Sequence, residues 1–222
     1  MAVSFDLFGT LVRVDRTGDP GRAIADELAS RGVQVPDDWD RAFREHHIDA
    51  PEGAEVPLPA HVAAALRSRG VETSGNVPRR AVVAAFDPDV ERREGAEAAI
   101  AAAREKGPVG VMSNTSVPEL ARRALIRADL ADAFDAVVTS AGCGWRKPDT
   151  RAFEAVANRL GVEPAALVHV GDDPEADGGI EGAGGRFVDV TETPLASFPA
   201  WLEADEEGRR PSGDDADGVT GP

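Results

Sequence analysis

The chain holds 222 residues, enough for one sizeable core and an inserted subdomain. Forty acidic residues against 24 basic ones give a net charge of −16 at pH 7, which disfavours nucleic acid and anionic membranes as partners. One cysteine, Cys143, excludes an internal disulfide, and no stretch approaches the length of a membrane span or the order of a signal peptide. A soluble, cytoplasmic protein is expected. Only Lys106 and Lys147 are lysines; the other cations are arginines. Abundant Asp and Glu with little Lys suggests a high-salt (halophilic) cytoplasm.

In chain order, the first apolar run is Val3–Phe5, a short strand closed by Asp6 and followed by a turn through Gly9 and Thr10. Residues 13–89 then break any alternation of strand and helix, with helical patterns at 20–31, 37–47, 59–69 and 78–86 divided by turn-rich sequence. A helix is expected over 91–106, where Gly107 and Pro108 end it. Strands follow at 109–113, 136–139, 167–170 and 186–190, separated by helices at 118–131 and 150–160, the last stopped by Gly161. Strands alternating with helices imply an α/β fold with a Rossmann-like, doubly wound parallel sheet. Residues 203–222 are acidic, with glycine and proline, and bury too little apolar surface to order themselves, so a disordered tail is expected there.

Four polar clusters each follow an apolar run. They are Asp6 with Thr10, Ser113 with Asn114, Lys147 before Pro148 and Asp149, and Asp172 with Asp173 and Asp177. A carboxylate at the C-terminal edge of a parallel sheet lies where open α/β sheets bind ligands. Together the clusters supply a nucleophile, a hydroxyl and amide pair, a cation and a second acidic group. That inventory suits phosphoryl transfer through an aspartyl intermediate, assisted by Mg2+. A carboxylate attacking an anionic phosphate needs positive charge between them, and Asp6 facing Asp172 without a cation would raise at least one pKa.

The four clusters resemble the motifs of the haloacid dehalogenase (HAD) superfamily of hydrolases, over roughly residues 1–12 and 90–200. Asp6–Thr10 is similar to its first motif, Val109–Asn114 to its second, Lys147 to its third and Val168–Asp177 to its fourth. The resemblance implies a core of residues 1–12 and 90–202 and a small helical cap at 13–89. It implies Asp6 and Lys147 as catalytic residues, with Thr10, Ser113 and Asn114 binding substrate. Asp6, the Phe8 carbonyl, Asp172 and Asp177 would hold Mg2+, with Asp173 behind them. The implied partner is a small phosphorylated substrate, and the protein is a monomer or homodimer.

One position departs from the family. Phe8 stands where its phosphatases carry a second Asp that protonates the leaving group and later activates water. Two rival readings follow. A 2-haloacid dehalogenase also lacks that Asp, though its fourth motif is less acidic; a HAD-fold binding protein would have lost the chemistry altogether. A Schiff-base route to phosphonate cleavage needs a cap lysine, and residues 13–89 contain none. Thr10 either caps a helix or touches the phosphoryl group. His46, His47 and His61 match no zinc spacing and are expected at the surface or the cap interface, with His46 or His47 as a surrogate acid. His169 falls in a buried strand and reads as structural. Cys143, with no adjacent base, reads as an inert thiol.

Overall fold

A computed structural model describes residues 1–15 and 18–209. Its strands are β1 (Ala2–Phe5), β2 (Val12–Val14), β3 (Val90–Arg92), β4 (Val109–Ser113), β5 (Ala136–Thr139), β6 (Leu167–Gly171) and β7 (Arg186–Asp189). Its helices are α1 (Pro20–Ser30), α2 (Trp39–Arg44), α3 (Leu58–Arg67), α4 (Val77–Ala85), α5 (Ala96–Lys106), α6 (Leu120–Arg127), α7 (Ser140–Cys143), α8 (Thr150–Leu160), α9 (Pro174–Asp177) and α10 (Phe198–Arg209).

Five strands form one parallel sheet in the order β5-β4-β1-β6-β7. Side chains alternate across it, as the period of two demands. Val3 and Phe5 of β1 and Val168 and Val170 of β6 pack with α5, α6 and α10. Ala2 and Leu167 pack with α8 on the other face. Both faces are therefore covered, which is why these strands read as continuous apolar runs. Strand order reverses beside β1: the chain runs outward to β4 on one side and later returns to β6 on the other. The crevice at the carboxyl ends of these three strands is where an open α/β sheet takes ligands.

The expected strands and the four helices of the insert are all present. Helix α1 is set by Asp19, whose side chain accepts from the Gly21 amide at 2.8 Å, with Pro20 in the first turn. The insert has its own apolar cluster, built from Ile24, Leu28, Trp39, Val62, Leu66 and Val82, and it packs on Val117 and Leu120 of the core.

Two differences concern local structure. The stretch expected to start a helix at 91 instead forms β3, antiparallel to β2, and α5 begins only at Ala96. This strand pair joins the two ends of the insert: β2 crosses the expected boundary at 13, and β3 begins just after the one at 89. Helix α10 also runs to Arg209, into the segment expected to be disordered from 203. It is anchored by Phe198 and Leu202, both fully buried. The rest of that segment, 210–222, lies outside the described residues. Among the described residues, no helix is long and apolar enough to cross a membrane.

Candidate active site

Asp6 leaves β1 with its amide bonded to the Val170 carbonyl at 2.8 Å, which fixes the carboxylate at the sheet's carboxyl edge. Lys147 reaches it from the loop after α7. Its Nζ donates to Asp6 Oδ1 at 2.7 Å and to Asp177 Oδ1 at 2.5 Å. The Lys147 side chain is 2% exposed, so this is a dry arrangement of one cation between two carboxylates. Burial opposes the ammonium form of Lys147, but the charges of Asp6 and Asp177 outweigh it and hold its pKa above the ordinary value. Burial pushes the Asp6 carboxyl up to about 6; Lys147 pulls against this, while Asp177 and Asp172 add to it. Burial also acts against the Asp177 carboxylate, yet its bonds from His169 and Lys147 prevail and hold it well below the usual range.

His169 completes the support of Lys147. Its Nε2 lies 3.0 Å from Asp177 Oδ1, its Nδ1 lies 2.8 Å from Ser4 Oγ, and the edge of Phe153 packs on its ring. Burial pulls its pKa down to about 4, so the imidazole is neutral at pH 7. A neutral ring that donates from Nε2 to Asp177 must accept at Nδ1 from the Ser4 hydroxyl.

Ser113 ends β4 beside β1. Its Oγ is buried and has no hydrogen-bond partner, a vacancy that native proteins seldom leave without a reason. Asn114, the next residue, brackets the Lys147 peptide: its Nδ2 donates to the Lys147 carbonyl and its Oδ1 accepts from the Lys147 amide, both at 2.9 Å. Thr10 is fully buried and donates to Asp172 Oδ1 at 2.7 Å. Gly9 lies against the same carboxylate. With φ at +102°, a Cβ there would stand 2.2 Å from Asp172 Oδ2, so only glycine fits.

A family model described as haloacid dehalogenase-like hydrolase matches residues 1–184. The chain belongs to this family. The phosphoserine phosphatase of Thermus thermophilus is 37% identical over 112 residues, 48% of this chain and 45% of that protein. Hexitol phosphatase B of Escherichia coli K12 is 25% identical over 175 residues, 78% of this chain and 75% of that protein. The chain thus spans under half the length of the first of these relatives. Among solved structures, the 2-haloacid dehalogenase of Pseudomonas syringae pv. Tomato superposes with a TM-score of 0.66 at 22% identity, covering 91% of this chain and 98% of that one, a likeness of fold.

All four of the chain's HAD motifs meet at one place, and three of the expected side chains make bonds within the protein. Asp177 is 1% exposed, and both of its oxygens are taken: Oδ1 by Lys147 and His169, Oδ2 by the Asp173 amide at 3.1 Å. It therefore steadies Lys147 through Oδ1, while Oδ2 takes a single backbone bond. Asn114 bonds the Lys147 backbone at both ends of its amide and so holds that loop. Thr10 donates to Asp172 and orients its carboxylate, and it caps no helix. Asp173 caps α9, accepting from the amides of Glu175 and Ala176.

The histidines of the insert stay within it. His47 and His61 each place Nε2 at 2.6 Å from a carbonyl, of Ala42 and Phe43 respectively. His46 is exposed beside Asp49. None of the three contacts Asp6, so the expectation of a surrogate acid from His46 or His47 gains no geometric support. Cys143 Sγ faces the Trp145 carbonyl at 3.3 Å.

Among the described residues, no group of three or more Asp, Glu, His and Cys gathers to form a metal cage. Magnesium does not require one. It keeps several waters and is commonly held through one or two carboxylates. Asp6 and Asp172 provide two, close enough for Asp172 to raise the Asp6 pKa. The Asp6 and Asp172 carboxylates therefore fit a partly hydrated magnesium ion.

Proposed function

We propose that this HAD-like hydrolase is a magnesium-dependent phosphatase of a small phosphorylated metabolite, and that it works through an aspartyl phosphate on Asp6. The observation that carries this reading is the buried Lys147 between Asp6 and Asp177, with Asp172 held beside it by Thr10. The relatives named as phosphatases point the same way.

An oxygen of Asp6 attacks phosphorus, and the bond from phosphorus to the leaving oxygen breaks, its electron pair departing with that oxygen. Lys147 offsets the charge that collects on the phosphoryl group, and Ser113 Oγ–H supplies a donor that has nothing else to bond. Water then attacks phosphorus, the bond to Asp6 breaks, and inorganic phosphate leaves with the carboxylate restored. When bound, magnesium would relieve the like-charge conflict among Asp6, Asp172 and the phosphate. The helical insert would act as a cap that limits water and selects substrate.

Phe8 sets the rate. Its side chain packs against the core and the insert and transfers no proton. The leaving group takes its proton from solvent, and the loss of general acid–base help costs about 10²–10⁴-fold. Esters with stable leaving groups are therefore the preferred substrates. Phe8 also favours one other reading, a dehalogenase, because halide departs without a proton.

The test is a panel of phosphate esters and 2-haloacids, with and without magnesium, at high salt. Magnesium-dependent phosphate release supports the proposal. Metal-independent halide release would replace it with the dehalogenase, and inertness toward both classes would leave a binding protein.

A further inference from the structure

Outside the residues described above, one buried charge has no role in the chemistry. Glu55 lies in the insert between α2 and α3, and its side chain is 3% exposed. Its Oε2 accepts from Ser140 Oγ at 2.5 Å and from Arg146 Nη1 at 2.7 Å. A carboxylate is not buried cheaply in a loop, and this one is matched by a charge-assisted pair and a hydroxyl.

Both partners lead to the site. Arg146 immediately precedes Lys147. Ser140 Oγ accepts from the Thr115 amide at 2.9 Å, and Thr115 follows Asn114, the residue that brackets the Lys147 peptide with two hydrogen bonds. Glu55 therefore closes a ring that runs from Lys147 through Asn114, Thr115, Ser140, Glu55 and Arg146 back to Lys147. Every member of this ring belongs to the core except Glu55.

The backbone around Glu55 is fastened to the same loop. The Glu55 amide donates to the Gly144 carbonyl and the Arg146 amide to the Gly53 carbonyl, both at 2.9 Å, as Ala54 and Trp145 form an antiparallel bridge. Further along, the Leu58 amide donates to the Ser116 carbonyl at 2.9 Å. Gly53 has φ at +77°, and a Cβ there would stand 2.3 Å from Asp149 Oδ2, so a larger residue would be strained and would collide with the Asp149 side chain.

From this geometry we infer that Glu55 is a positioning residue: it couples the seating of the insert to the placement of Lys147. The consequence for catalysis rests on the function proposed above, whereas the coupling itself does not. When the strap 53–58 is seated, Glu55 joins the loop after β4 to the loop that carries Lys147. When it lifts, Ser140 and Arg146 lose their shared acceptor, and the backbone of the Lys147 loop keeps its bonds to Asn114 while losing those to the strap. Lys147 Nζ must lie within hydrogen-bond reach of Asp6, and a misplacement of about 1 Å at such a group costs about 10²-fold.

The experiment compares the full-length wild type with Glu55→Ala, Glu55→Gln and Arg146→Met. Arg146 is 46% exposed, so its substitution cuts the ring without opening the core and serves if Glu55→Ala does not fold. Amide hydrogen exchange reads the coupling directly. Glu55→Ala and Arg146→Met should both speed exchange in segments 113–116 and 144–148 and leave β6 unchanged. Glu55→Gln, which still accepts from Ser140, should restore protection at Thr115.

Steady-state kinetics, on whichever substrate of the panel the wild type turns over, should show kcat down by ~10–100-fold in Glu55→Ala, KM within about threefold, and partial recovery in Glu55→Gln. Unchanged exchange in both segments overturns the coupling, whatever the enzyme hydrolyses. Faster exchange with an unchanged kcat overturns the positioning role. A wild type inert on every substrate sinks the functional reading instead, and exchange alone then decides the coupling.

Discussion

Lys147 is the residue on which the site turns. It is a buried ammonium that two carboxylates hold charged, and Asp177 faces it with both oxygens bonded. Breaking a buried ion pair by removing one partner costs about 3–5 kcal/mol, because the other charge stays behind. Asp177→Ala is expected to cost toward the low end, about 3 kcal/mol, since Asp6 still answers Lys147. A shift in urea midpoint at unchanged slope measures it, and a shift near zero would mean that Asp177 is idle. Asp6→Asn is nearly isosteric but a poor nucleophile, so turnover should vanish while the protein remains folded. Phosphate release by the purified variant would end the covalent mechanism.

Phe8→Asp tests the missing acid. An alkyl phosphate leaves with charge concentrated on oxygen and gains from a proton donor, whereas a nitrophenyl phosphate already spreads that charge. The ratio of kcat/KM for alkyl over nitrophenyl ester should rise in a folded variant. No change in that ratio would place the missing proton donor elsewhere.

His169 gives a pH signature. Its folded pKa, about 4, lies below the ordinary value of 6.5. The unfolded chain therefore binds the proton more readily between these values, and the stability contributed by the neutral ring is present above about pH 6.5 and lost as pH falls toward 4. Asp6, whose carboxyl is raised, works in the opposite sense over part of that window, so the comparison must be made by difference. The stability gap between wild type and His169→Gln, in chelator, should narrow as pH drops from 6.5 to 4. A constant gap would contradict a buried neutral imidazole.

At the scale of elements, the five core strands were legible because each is a run of apolar residues followed by a chemically distinctive turn. The β2–β3 pair was not. Each strand has three residues, with Arg13 and Glu91 exposed at the centres, and so carries no apolar signature. The start of α5 was hidden for the opposite reason: the residues from Glu91 onward favour helix as strongly as those after it, and only pairing with β2 pulls 90–92 into a strand.

In the site, Asp6, Lys147 and Asp172 could be found from the order of their motifs. The bonds of Asp177 to Lys147 and His169, and of Asn114 to the Lys147 backbone, could not be read there, because spacing along the chain does not say which way a side chain turns. His169 was read as buried, which it is, yet its bond to Asp177 exists only in the fold. Glu55 offered no signal among 40 acidic residues. Helix α10 is bound through Phe198, whose ring meets Phe5 edge-on at a centroid distance of 5.7 Å. Phe198→Ala should cost about 3–5 kcal/mol, read as a fall in midpoint; a loss below about 1 kcal/mol would mean that α10 is not part of the cooperative core.

For the whole molecule, a charge of −16 makes cations the dominant solvent partners, and their general screening must be separated from specific binding. On the proposed function, magnesium bound by the folded Asp6–Asp172 pair would stabilise by mass action, about 2.7 kcal/mol at a hundredfold excess over its dissociation constant. At high salt, where general screening is saturated, calorimetry should show Tm rising with magnesium in the wild type and not in Asp172→Ala. An equal rise in both would assign the effect to the acidic surface.

In the proposed mechanism Asp6 becomes phosphorylated and water then attacks phosphorus. The direct measurement is a single turnover in heavy-oxygen water, with excess enzyme over a nitrophenyl phosphate and magnesium present, followed by mass spectrometry of the released phosphate and of the peptide that contains Asp6. The heavy oxygen is expected in phosphate and not in Asp6, with a phosphorylated Asp6 peptide captured by early acid quench. Heavy oxygen in the Asp6 carboxylate would place water attack at the carboxyl carbon, as in ester cleavage after halide displacement, and would contradict the phosphatase account.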